Sequence, residues 1–392
     1  MYNEENIKQI LSRGIENIFP NKEFLESKLL KGDKITIYLG IDPTGPTLHL
    51  GHIIPLRKLA EFQRMGHQII LLIGDFTGMI GDPTDKTATR KRLSREQIMD
   101  NCKRYKKQAS KFISFSGDNK ALLKFNSKWL AKMSFEEVLE LTSLMTVEQM
   151  LKRDMFEKRM EESKPIYIHE FLYPIMQGYD SVAMDVDAEI GGNDQTFNML
   201  VGRDLMKKLK DKEKFVITTK LIVDSEGKKM GKTEGNMVSM DQSPDDIFGK
   251  VMSWNDNLIL SGFELCTDID IEKIKEISNP KEQKMLLAKE IVSMIYGESK
   301  AKKAFKNFEN TFKKGEIPED IKVISIQKDS LLKDSIINEK IVASNNEWKR
   351  LIEGNAVSVI GTDEIIKDPY IKADKDLVLR IGKKRFIKII VG

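Results

Sequence analysis

The stretch from Tyr38 to His52, which reads YLGIDPTGPTLHLGH, decides the expected fold of this 392-residue chain. It begins as an apolar strand, passes through a turn rich in glycine and proline, and ends where a helix starts. A helix N-terminus offers unpaired backbone N–H groups and a partial positive charge, and Gly51 lets a ligand lie close to that backbone. The junction therefore predicts a nucleotide site in which His49 and His52 face the same ligand. Two histidines at this spacing also cap helices or bind metal ions, so the motif alone leaves those alternatives open.

On both sides of this junction, short apolar runs alternate with segments of helical periodicity. The apolar runs, each bounded by turn residues, are 35–39, 69–73, 121–125, 186–190 and 215–218. Apolar residues at three- and four-residue spacing predict helices over 51–65, 95–113, 135–145, 174–184 and 194–209. The alternation is typical of a parallel α/β sheet, and we expect this sheet domain to occupy residues 1–235.

The pattern changes twice after the sheet domain. Residues 244–312 show successive amphipathic helices, including 244–252 and 281–296, which predict a helical domain over 236–325. Beyond the KKGEIPED stretch, 377–380 and 386–391 flank a charged turn, which predicts a β-hairpin. We therefore expect a third, small domain over 335–392.

A second motif, KKMGKT at 228–233, lies in a polar loop near the end of the sheet domain. Its lysines are separated by a flexible glycine, so they can close over a polyphosphate as mobile point charges. A solvated charged loop would have the same composition, and the motif by itself does not exclude it.

A third motif lies in HEFLYPIMQGYD, residues 169–180, and is followed by IGGNDQ at 190–195. Tyr173, Gln177 and Asp180 fall at positions i, i+4 and i+7, so on a helix they share one face. Buried polar groups need partners, and a polar stripe on an otherwise apolar helix therefore indicates a ligand site. An internal hydrogen-bond network is the alternative.

Charge and composition exclude several other classes of protein. The net charge of +4 is too small to indicate nucleic-acid binding by the whole chain, but ten Lys/Arg stand against seven Asp/Glu within residues 341–392. No run approaches the roughly 20 apolar residues that span a bilayer, and the polar start MYNEENIKQI lacks the apolar core of a signal peptide. Cys102 and Cys266 lie far apart, outside any CxxC or Cys/His cluster, so neither a zinc site nor a disulfide framework is indicated. We expect a cytoplasmic protein without membrane attachment or a metal site.

The first two motifs together resemble the HIGH and KMSKS signatures of class I aminoacyl-tRNA synthetases, in the same order and at similar spacing. His49-Leu-Gly-His52 differs from the first by Leu for Ile, and Lys229-Met-Gly-Lys232-Thr233 from the second by Gly for Ser and Thr for Ser. The third motif is similar to the tyrosine-binding helix of the tyrosyl branch. Residues 345–391 resemble an S4 RNA-binding domain, with the usual Ser-Arg-x-Glu-Ala-Arg-Arg changed to SNNEWKR at 344–350.

The resemblance implies a three-part architecture and an oligomer. A Rossmann-like parallel-sheet catalytic domain would be followed by an α-helical anticodon-binding domain and a small α+β S4 RNA-binding domain. It also implies a homodimer whose contact lies in a segment inserted at about residues 100–165.

The resemblance also implies a role for individual residues. The catalytic group would be His49, His52, Lys229, Lys232 and Thr233. ATP would contact Asp42, Thr44, His49, Gly51, His52, Gly192, Asp194, Lys229 and Lys232. Tyrosine would contact Tyr38, Thr77, Asp82, Tyr173, Gln177, Asp180 and Gln195, with Asp180 and Tyr38 at its phenol. RNA would contact Lys349, Arg350, Lys383, Lys384 and Arg385.

The implied activity is ATP-dependent activation of L-tyrosine and its transfer to the 3′ end of tRNA(Tyr). ATP would enter with Mg²⁺ as a substrate complex, and no tightly bound cofactor is implied. A tryptophanyl-tRNA synthetase shares the fold but does not require the stripe of Tyr173, Gln177 and Asp180. An RNA-binding protein that has lost activity is the other alternative, and the intact histidine and lysine motifs speak against it.

Overall fold

The computed structural model of the chain describes residues 4–82, 93–223, 237–313, 321–360, 364–382 and 385–392. These residues form two compact units, one from 1–243 and 250–291 and the other from 244–249 and 292–392. The strands are β1 (Ile15–Phe19), β2 (Thr36–Ile41), β3 (Gln68–Ile73), β4 (Leu122–Phe125), β5 (Ala188–Gly192), β6 (Phe215–Thr219), β7 (Lys322–Ile326), β8 (Val357–Val359), β9 (Leu377–Ile381) and β10 (Arg385–Val391).

The helices are distributed along the whole described chain. They are α1 (Glu4–Ile10), α2 (Lys22–Leu30), α3 (Leu50–Arg64), α4 (Thr77–Ile80), α5 (Arg95–Cys102), α6 (Tyr105–Ala109), α7 (Ser127–Leu130), α8 (Phe135–Ser143), α9 (Val147–Leu151), α10 (Asp154–Glu161), α11 (Ile168–Met184), α12 (Thr196–Lys210), α13 (Pro244–Met252), α14 (Ile259–Cys266), α15 (Ile271–Lys275), α16 (Pro280–Tyr296), α17 (Glu298–Lys313), α18 (Leu332–Asn338) and α19 (Asn345–Glu353). The described residues also include two short 3-10 turns, Asn193–Gln195 and Asp256–Leu258.

The first unit is built on a six-stranded sheet with the order β1-β6-β5-β2-β3-β4. Strands β2 to β6 pair in parallel and are found within two residues of the five predicted apolar runs. In β3 every residue after Gln68 is buried, and in β6 every residue is, as expected of strands covered on both faces. From β2 the chain moves to β3 on one side and later to β5 on the other, so a crevice opens between β2 and β5 at their carboxyl ends.

The sheet also has an antiparallel edge strand that was not predicted, since β6 pairs at the edge with β1. Its sequence, IENIF, places exposed Glu16 and Asn17 after buried Ile15. An edge strand is solvated on one side and need not be a continuous apolar run, so the hydrophobic pattern did not reveal it. The sheet is therefore mixed.

Two predicted helices have different bounds in the structure. The helix predicted over 95–113 is interrupted after Cys102, and its second half begins at Tyr105, whose hydroxyl donates to the Gly45 carbonyl at 2.6 Å. The spacing of buried residues continues across the interruption, so periodicity could not show it. Helix α11 begins six residues before Pro174, at Ile168, because Glu170 accepts from the Tyr167 backbone N–H at 3.0 Å and caps an earlier first turn.

The second unit contains a four-stranded sheet with the order β7-β10-β9-β8. The predicted hairpin is confirmed: β9 and β10 pair antiparallel with Phe386 opposite Arg380. Strand β7, which was not predicted, pairs in parallel with β10. The core of this sheet includes Trp348 of α19 and Ile324 of β7, so its apolar packing begins at β7.

The predicted helices 244–252 and 281–296 are confirmed as α13 and α16.

Candidate active site

A cavity of about 210 Å³ lies at the carboxyl ends of β2 and β5 in the first unit. This is the switch point of the sheet, where open α/β sheets bind their ligands. The cavity is lined by fourteen of the predicted site residues: Tyr38, Asp42, Thr44, His49, Gly51, His52, Thr77, Asp82, Tyr173, Gln177, Asp180, Gly192, Asp194 and Gln195. The fold thus brings together residues from four separate stretches of the chain, 38–52, 77–82, 173–180 and 192–195.

One wall of the cavity is the N-terminus of α3. His49 is the N-cap residue, and its backbone N–H donates to His52 Nδ1 at 3.3 Å. A neutral imidazole that accepts at Nδ1 carries its proton on Nε2, so His52 is set up as a donor. The two rings lie 3.8 Å apart between centroids. His52 therefore caps α3 and also lines the cavity wall. The capping alternative and the predicted ligand site are compatible.

The loop motif KKMGKT lies outside the described residues, and so do Lys229, Lys232 and Thr233. The described residues on its two sides both reach the cavity region. Leu221 lines the cavity, and the Val238 carbonyl accepts from the Leu50 backbone N–H at 3.0 Å. The Leu48 carbonyl accepts from Met240 N–H at 2.9 Å, which holds the chain after the motif against the start of α3.

A chain of hydrogen bonds crosses the cavity floor and includes Asp42. Thr77 Oγ1 donates to Asp42 Oδ1 at 2.7 Å, and the Tyr173 hydroxyl donates to Asp42 Oδ2 at 2.8 Å. Asn126 Nδ2 donates both to Thr77 Oγ1 at 2.9 Å and to Asp180 Oδ2 at 3.2 Å. Because the Asn126 oxygen accepts from Phe76 N–H at 2.9 Å, the direction of its amide is fixed.

Asp180 and Tyr38 line the cavity and are both buried, and we call this part of the cavity its deep end. Asp180 Oδ1 accepts from Trp129 Nε1 at 2.7 Å, and the Tyr38 hydroxyl lies 3.0 Å from Ser181 Oγ. Burial raises the pKa of the Asp180 carboxyl well above its usual range, against its donors Trp129 and Asn126, which lower it. Burial, together with the carboxylates of Glu189 and Asp180, also raises the pKa of Tyr38, so this phenol stays protonated.

Acceptor groups are concentrated at another part of the cavity, around Asp82. Its Oδ2 accepts from Gln195 Nε2 at 2.7 Å, and its Oδ1 lies 3.3 Å from Arg153 Nη2. Gln177 Nε2 donates to Glu189 Oε1 at 3.2 Å. The pKa of Tyr173 is raised by burial and by the carboxylates of Asp42 and Asp82. Tyr173 therefore keeps its proton for Asp42 and offers oxygen lone pairs to a ligand.

Sequence reasoning missed Asn126, Trp129, Arg153, Glu189 and Lys214. Asn126 directly follows β4, and a polar residue at the carboxyl end of a parallel strand is a signal that could have been used. Trp129 and Asp180 are 51 residues apart in sequence, and no local pattern predicts their contact.

In the second unit, Lys349 and Arg350 lie on α19, whereas Lys383 and Lys384 lie outside the described residues. Arg385 is ion-paired with Glu347 at 2.9 Å and donates to the Ile341 carbonyl at 2.7 Å. The structure thus gives Arg385 partners within the protein, which sequence reasoning did not anticipate.

Two kinds of feature are absent from the described residues. No helix there is both long and apolar enough to cross a membrane. No group of three or more His, Cys, Asp and Glu side chains in those ranges is arranged to hold a metal ion. Cys102 and Cys266 are buried free thiols, and burial raises the pKa of Cys102 to about 11 and that of Cys266 to about 12.

Comparison with known proteins identifies the family to which the chain belongs. The family model of class I tRNA synthetases (W and Y) matches residues 30–313. A curated tyrosine–tRNA ligase 2 of Clostridium acetobutylicum is 42% identical over 401 residues, with 99% of each chain covered. The chain belongs to the tyrosine–tRNA ligase family. Another member of that family, the tyrosine–tRNA ligase of Desulfotalea psychrophila, is 41% identical over 402 residues, covering 99% of this chain and 98% of its own.

Solved structures of the tyrosyl-tRNA synthetase family agree with the mixed α/β sheet. A C-terminally truncated mitochondrial tyrosyl-tRNA synthetase of Coccidioides posadasii superposes with a TM-score of 0.63 at 25% identity. The superposition covers 77% of this chain and 91% of the Coccidioides posadasii chain. The chain therefore has the class I aminoacyl-tRNA synthetase fold.

Proposed function

We propose that the chain joins L-tyrosine to tRNA(Tyr) in two steps, activation by ATP and transfer to the tRNA 3′ end. The observation that carries the proposal is the cavity in which the polar stripe of α11 faces the N-terminus of α3. Relatives that are 41–42% identical over nearly the whole chain and are named tyrosine–tRNA ligases support the same activity.

The phenol of tyrosine fits the deep end of the cavity. Asp180 offers carboxyl oxygens held by Trp129 and Asn126, and Tyr38 adds a protonated hydroxyl. A site built to hydrogen-bond a hydroxyl disfavours a ligand without one, because its own buried polar groups would be left unpaired. The deep end therefore selects tyrosine over phenylalanine.

The ammonium group of tyrosine fits the acceptors at the other end. Asp82, the Tyr173 oxygen and the Gln177 oxygen would surround it, and Gln195 would lie near the carboxylate. A positive ammonium group needs acceptors in a dry site, and charge-assisted hydrogen bonds are about twice as strong as neutral ones. The distance between these two ends of the cavity then fixes the orientation of the substrate.

ATP fits the wall formed by α3 and the segment after β5. The phosphates would lie at the α3 N-terminus with His49 and His52, where Gly51 permits a close approach, and the ribose would meet Gly192 and Asp194. A Cβ at Gly192 would lie 2.4 Å from Asp194 Oδ1, so glycine leaves that carboxylate in place. Mg²⁺ would enter with ATP and would offset negative charge on its phosphates.

In the reaction, a tyrosine carboxylate oxygen attacks the α-phosphorus of ATP. The new P–O bond forms as the bond to the bridging oxygen breaks, and pyrophosphate leaves with the electron pair. A terminal tRNA hydroxyl then attacks the carbonyl carbon of the adenylate, the bond from that carbon to the phosphate oxygen breaks, AMP leaves with the electron pair, and the hydroxyl proton passes to the departing phosphate or to solvent. Positioning and stabilisation of developing negative charge suffice for this chemistry, so no covalent nucleophile on the protein is required. Lys229 and Lys232, with Thr233, would supply positive charge to the leaving pyrophosphate.

The tRNA would be held by residues after the catalytic sheet. We assign anticodon binding to the helices of 236–325 and further RNA binding to the S4-like segment 335–392. Lys349 and Arg350 on α19 are the candidates among the described residues, and Lys383 and Lys384, which lie outside those residues, are candidates from the sequence. Basic side chains that contact phosphates make the affinity salt-dependent.

The proposal includes a homodimer in the cytoplasm. The inserted segment at about 100–165 carries large apolar side chains that are exposed in the single chain: Phe135 (78%), Leu139 (54%), Val147 (64%) and Met160 (53%). Phe135 and Leu139 are one helical turn apart on α8 and share a face, which supports a contact with a second copy.

Pyrophosphate exchange measured with each of the twenty amino acids tests the proposal. Exchange with tyrosine alone is the expected result. Exchange with tryptophan would show that the chain activates tryptophan, the other amino acid of the family. Exchange with no amino acid would favour an RNA-binding protein that has lost activity.

A further inference from the structure

A lysine side chain is completely buried behind the cavity. Lys214, the residue before β6, is 0% exposed, and its ammonium group contacts the Glu189 carboxylate. It also donates to Ser181 Oγ at 2.8 Å and to the Met199 carbonyl at 3.2 Å. Its three N–H donors are therefore all used. Space for it depends on Gly202, where a Cβ would lie 2.6 Å from Lys214 Nζ.

Glu189 connects this lysine to the cavity. It lies on β5 opposite Tyr38 of β2 and lines the cavity. One carboxylate oxygen takes Lys214, and the other, Oε1, accepts from Gln177 Nε2 at 3.2 Å. A charge behind the cavity wall is thus linked through one carboxylate to an amide in the cavity.

The charge on Glu189 fixes the direction of the Gln177 amide. An ionised carboxylate only accepts hydrogen bonds, so it takes the NH₂ end of the amide. The Gln177 oxygen is then turned away from Glu189 and is available to a ligand. An amide oxygen attracts an ammonium group, whereas an amide NH₂ in the same position would repel it.

Lys214 balances the charge of the Glu189 carboxylate, which holds the Gln177 amide in this direction. A buried charge needs a partner of opposite sign, and Lys214 supplies it to the Glu189 carboxylate. An uncharged side chain in place of that carboxylate could donate to Gln177 and allow its amide to turn. Burial lowers the pKa of Lys214, and the adjacent Glu189 opposes that shift. Lys214 also shares Ser181 Oγ with the Tyr38 hydroxyl, which lies 3.0 Å from it.

We propose that Lys214 and Glu189 form a positioning pair that makes the cavity selective for an α-ammonium group by holding the Gln177 oxygen toward the substrate. The inference rests on the proposed function, because it takes the ligand to be tyrosine. Neither residue touches the reacting atoms. Their effect is expected in substrate affinity and not in the chemical step.

The test compares three ligands on the full chain: L-tyrosine, tyramine and 3-(4-hydroxyphenyl)propionate, which lacks the ammonium group. Glu189→Gln alone leaves Lys214 buried and unpaired, so the main variant is the neutral pair Lys214→Met/Glu189→Gln. The amide that replaces the Glu189 carboxylate can offer its NH₂ to Gln177 and let the Gln177 amide turn. We expect the Kd values of tyrosine and tyramine to rise about 10- to 100-fold, as for loss of a hydrogen bond to a charged group. The Kd of the propionate should stay within about twofold, and kcat for pyrophosphate exchange should change little.

The matched control is the half-buried pair Lys212 and Asp187, whose side chains are 30% and 26% exposed and whose charged atoms lie 2.9 Å apart. Lys212→Met/Asp187→Asn should leave all three Kd values unchanged. Equal losses for the three ligands, or no loss in the neutral pair, would overturn the inference. If the neutral pair does not fold, Glu189→Asp keeps the charge but withdraws it from Gln177, and the same pattern is expected. A wild-type chain without tyrosine-dependent exchange would instead overturn the proposed function.

Discussion

The Tyr173 hydroxyl donates a hydrogen bond to Asp42 Oδ2 over 2.8 Å and thereby joins α11 to the carboxyl end of β2. The two residues are 131 positions apart in sequence. Since Asp42 also accepts from Thr77, which in turn accepts from Asn126, the chain of bonds continues as far as Asp180. The side chains assigned to the ammonium group and to the phenol are therefore parts of one network.

Tyr173→Phe should weaken tyrosine binding. The variant removes both the bond to Asp42 and the oxygen that would accept from the ammonium group. We expect KM for tyrosine in pyrophosphate exchange to rise about 10-fold, a typical effect of losing a hydrogen bond to a charged group. Tyr179→Phe, on the same helix, is the matched control and should behave as wild type. An unchanged KM in Tyr173→Phe would remove Tyr173 from the ammonium site.

Asp180→Ala should reduce the preference for tyrosine over phenylalanine. The deep end loses the acceptor for the phenol, so kcat/KM for tyrosine should fall steeply while that for phenylalanine changes much less. Circular dichroism and thermal unfolding establish that the variant is folded. A folded variant with the full wild-type preference would return the α11 stripe to a purely structural role.

Gly74→Ala should disable the site although it replaces no polar side chain. A Cβ at this position would lie 1.9 Å from Asp42 Oδ1 and 2.4 Å from Thr77 Oγ1, so Asp42 must move. Misplacement of a positioning group by about 1 Å costs on the order of 100-fold in rate, and we expect that loss in kcat/KM. Gly249→Ala, where a Cβ meets nothing within 4 Å, is the control and should keep full exchange activity.

Removal of residues 314–392 should separate the two steps of the reaction. The cut lies before β7, so it removes the whole four-stranded sheet and leaves no part of its core behind. We expect pyrophosphate exchange to stay near the wild-type rate and tRNA charging to weaken, with a loss that grows with salt. Equal charging by the truncated and full-length proteins would contradict the RNA-binding assignment.

His67 should make the protein less stable in mild acid. Burial lowers the pKa of His67 from 6.5 to about 4, so the unfolded chain binds a proton between these values and the folded chain does not. The stability this provides is present above pH 6.5 and is lost as the pH falls toward 4. Between pH 7 and pH 5 the loss is about 2 kcal/mol. Urea unfolding at the two pH values should show a smaller loss for His67→Gln, and equal losses would refute the assignment.

The sequence by itself determined the parallel part of the sheet, the position of its first crossover and the polar stripe of α11. These features follow from local periodicity, since strands buried on both faces need continuous apolar runs and a helix aligns residues at i, i+4 and i+7. It also provided the family resemblance, because the motifs that carry it are short and contiguous.

Tertiary structure alone decided the antiparallel edge strand β1, the donors Trp129 and Asn126 for Asp180, and the burial of Lys214. Lys214 ends the charged stretch KDKEK at 210–214, whose composition is typical of a solvated surface. Its partners Glu189 and Ser181 are 25 and 33 residues away. Whether such a lysine is exposed or paired depends on which strands and helices pack around it, and local sequence carries no record of that packing.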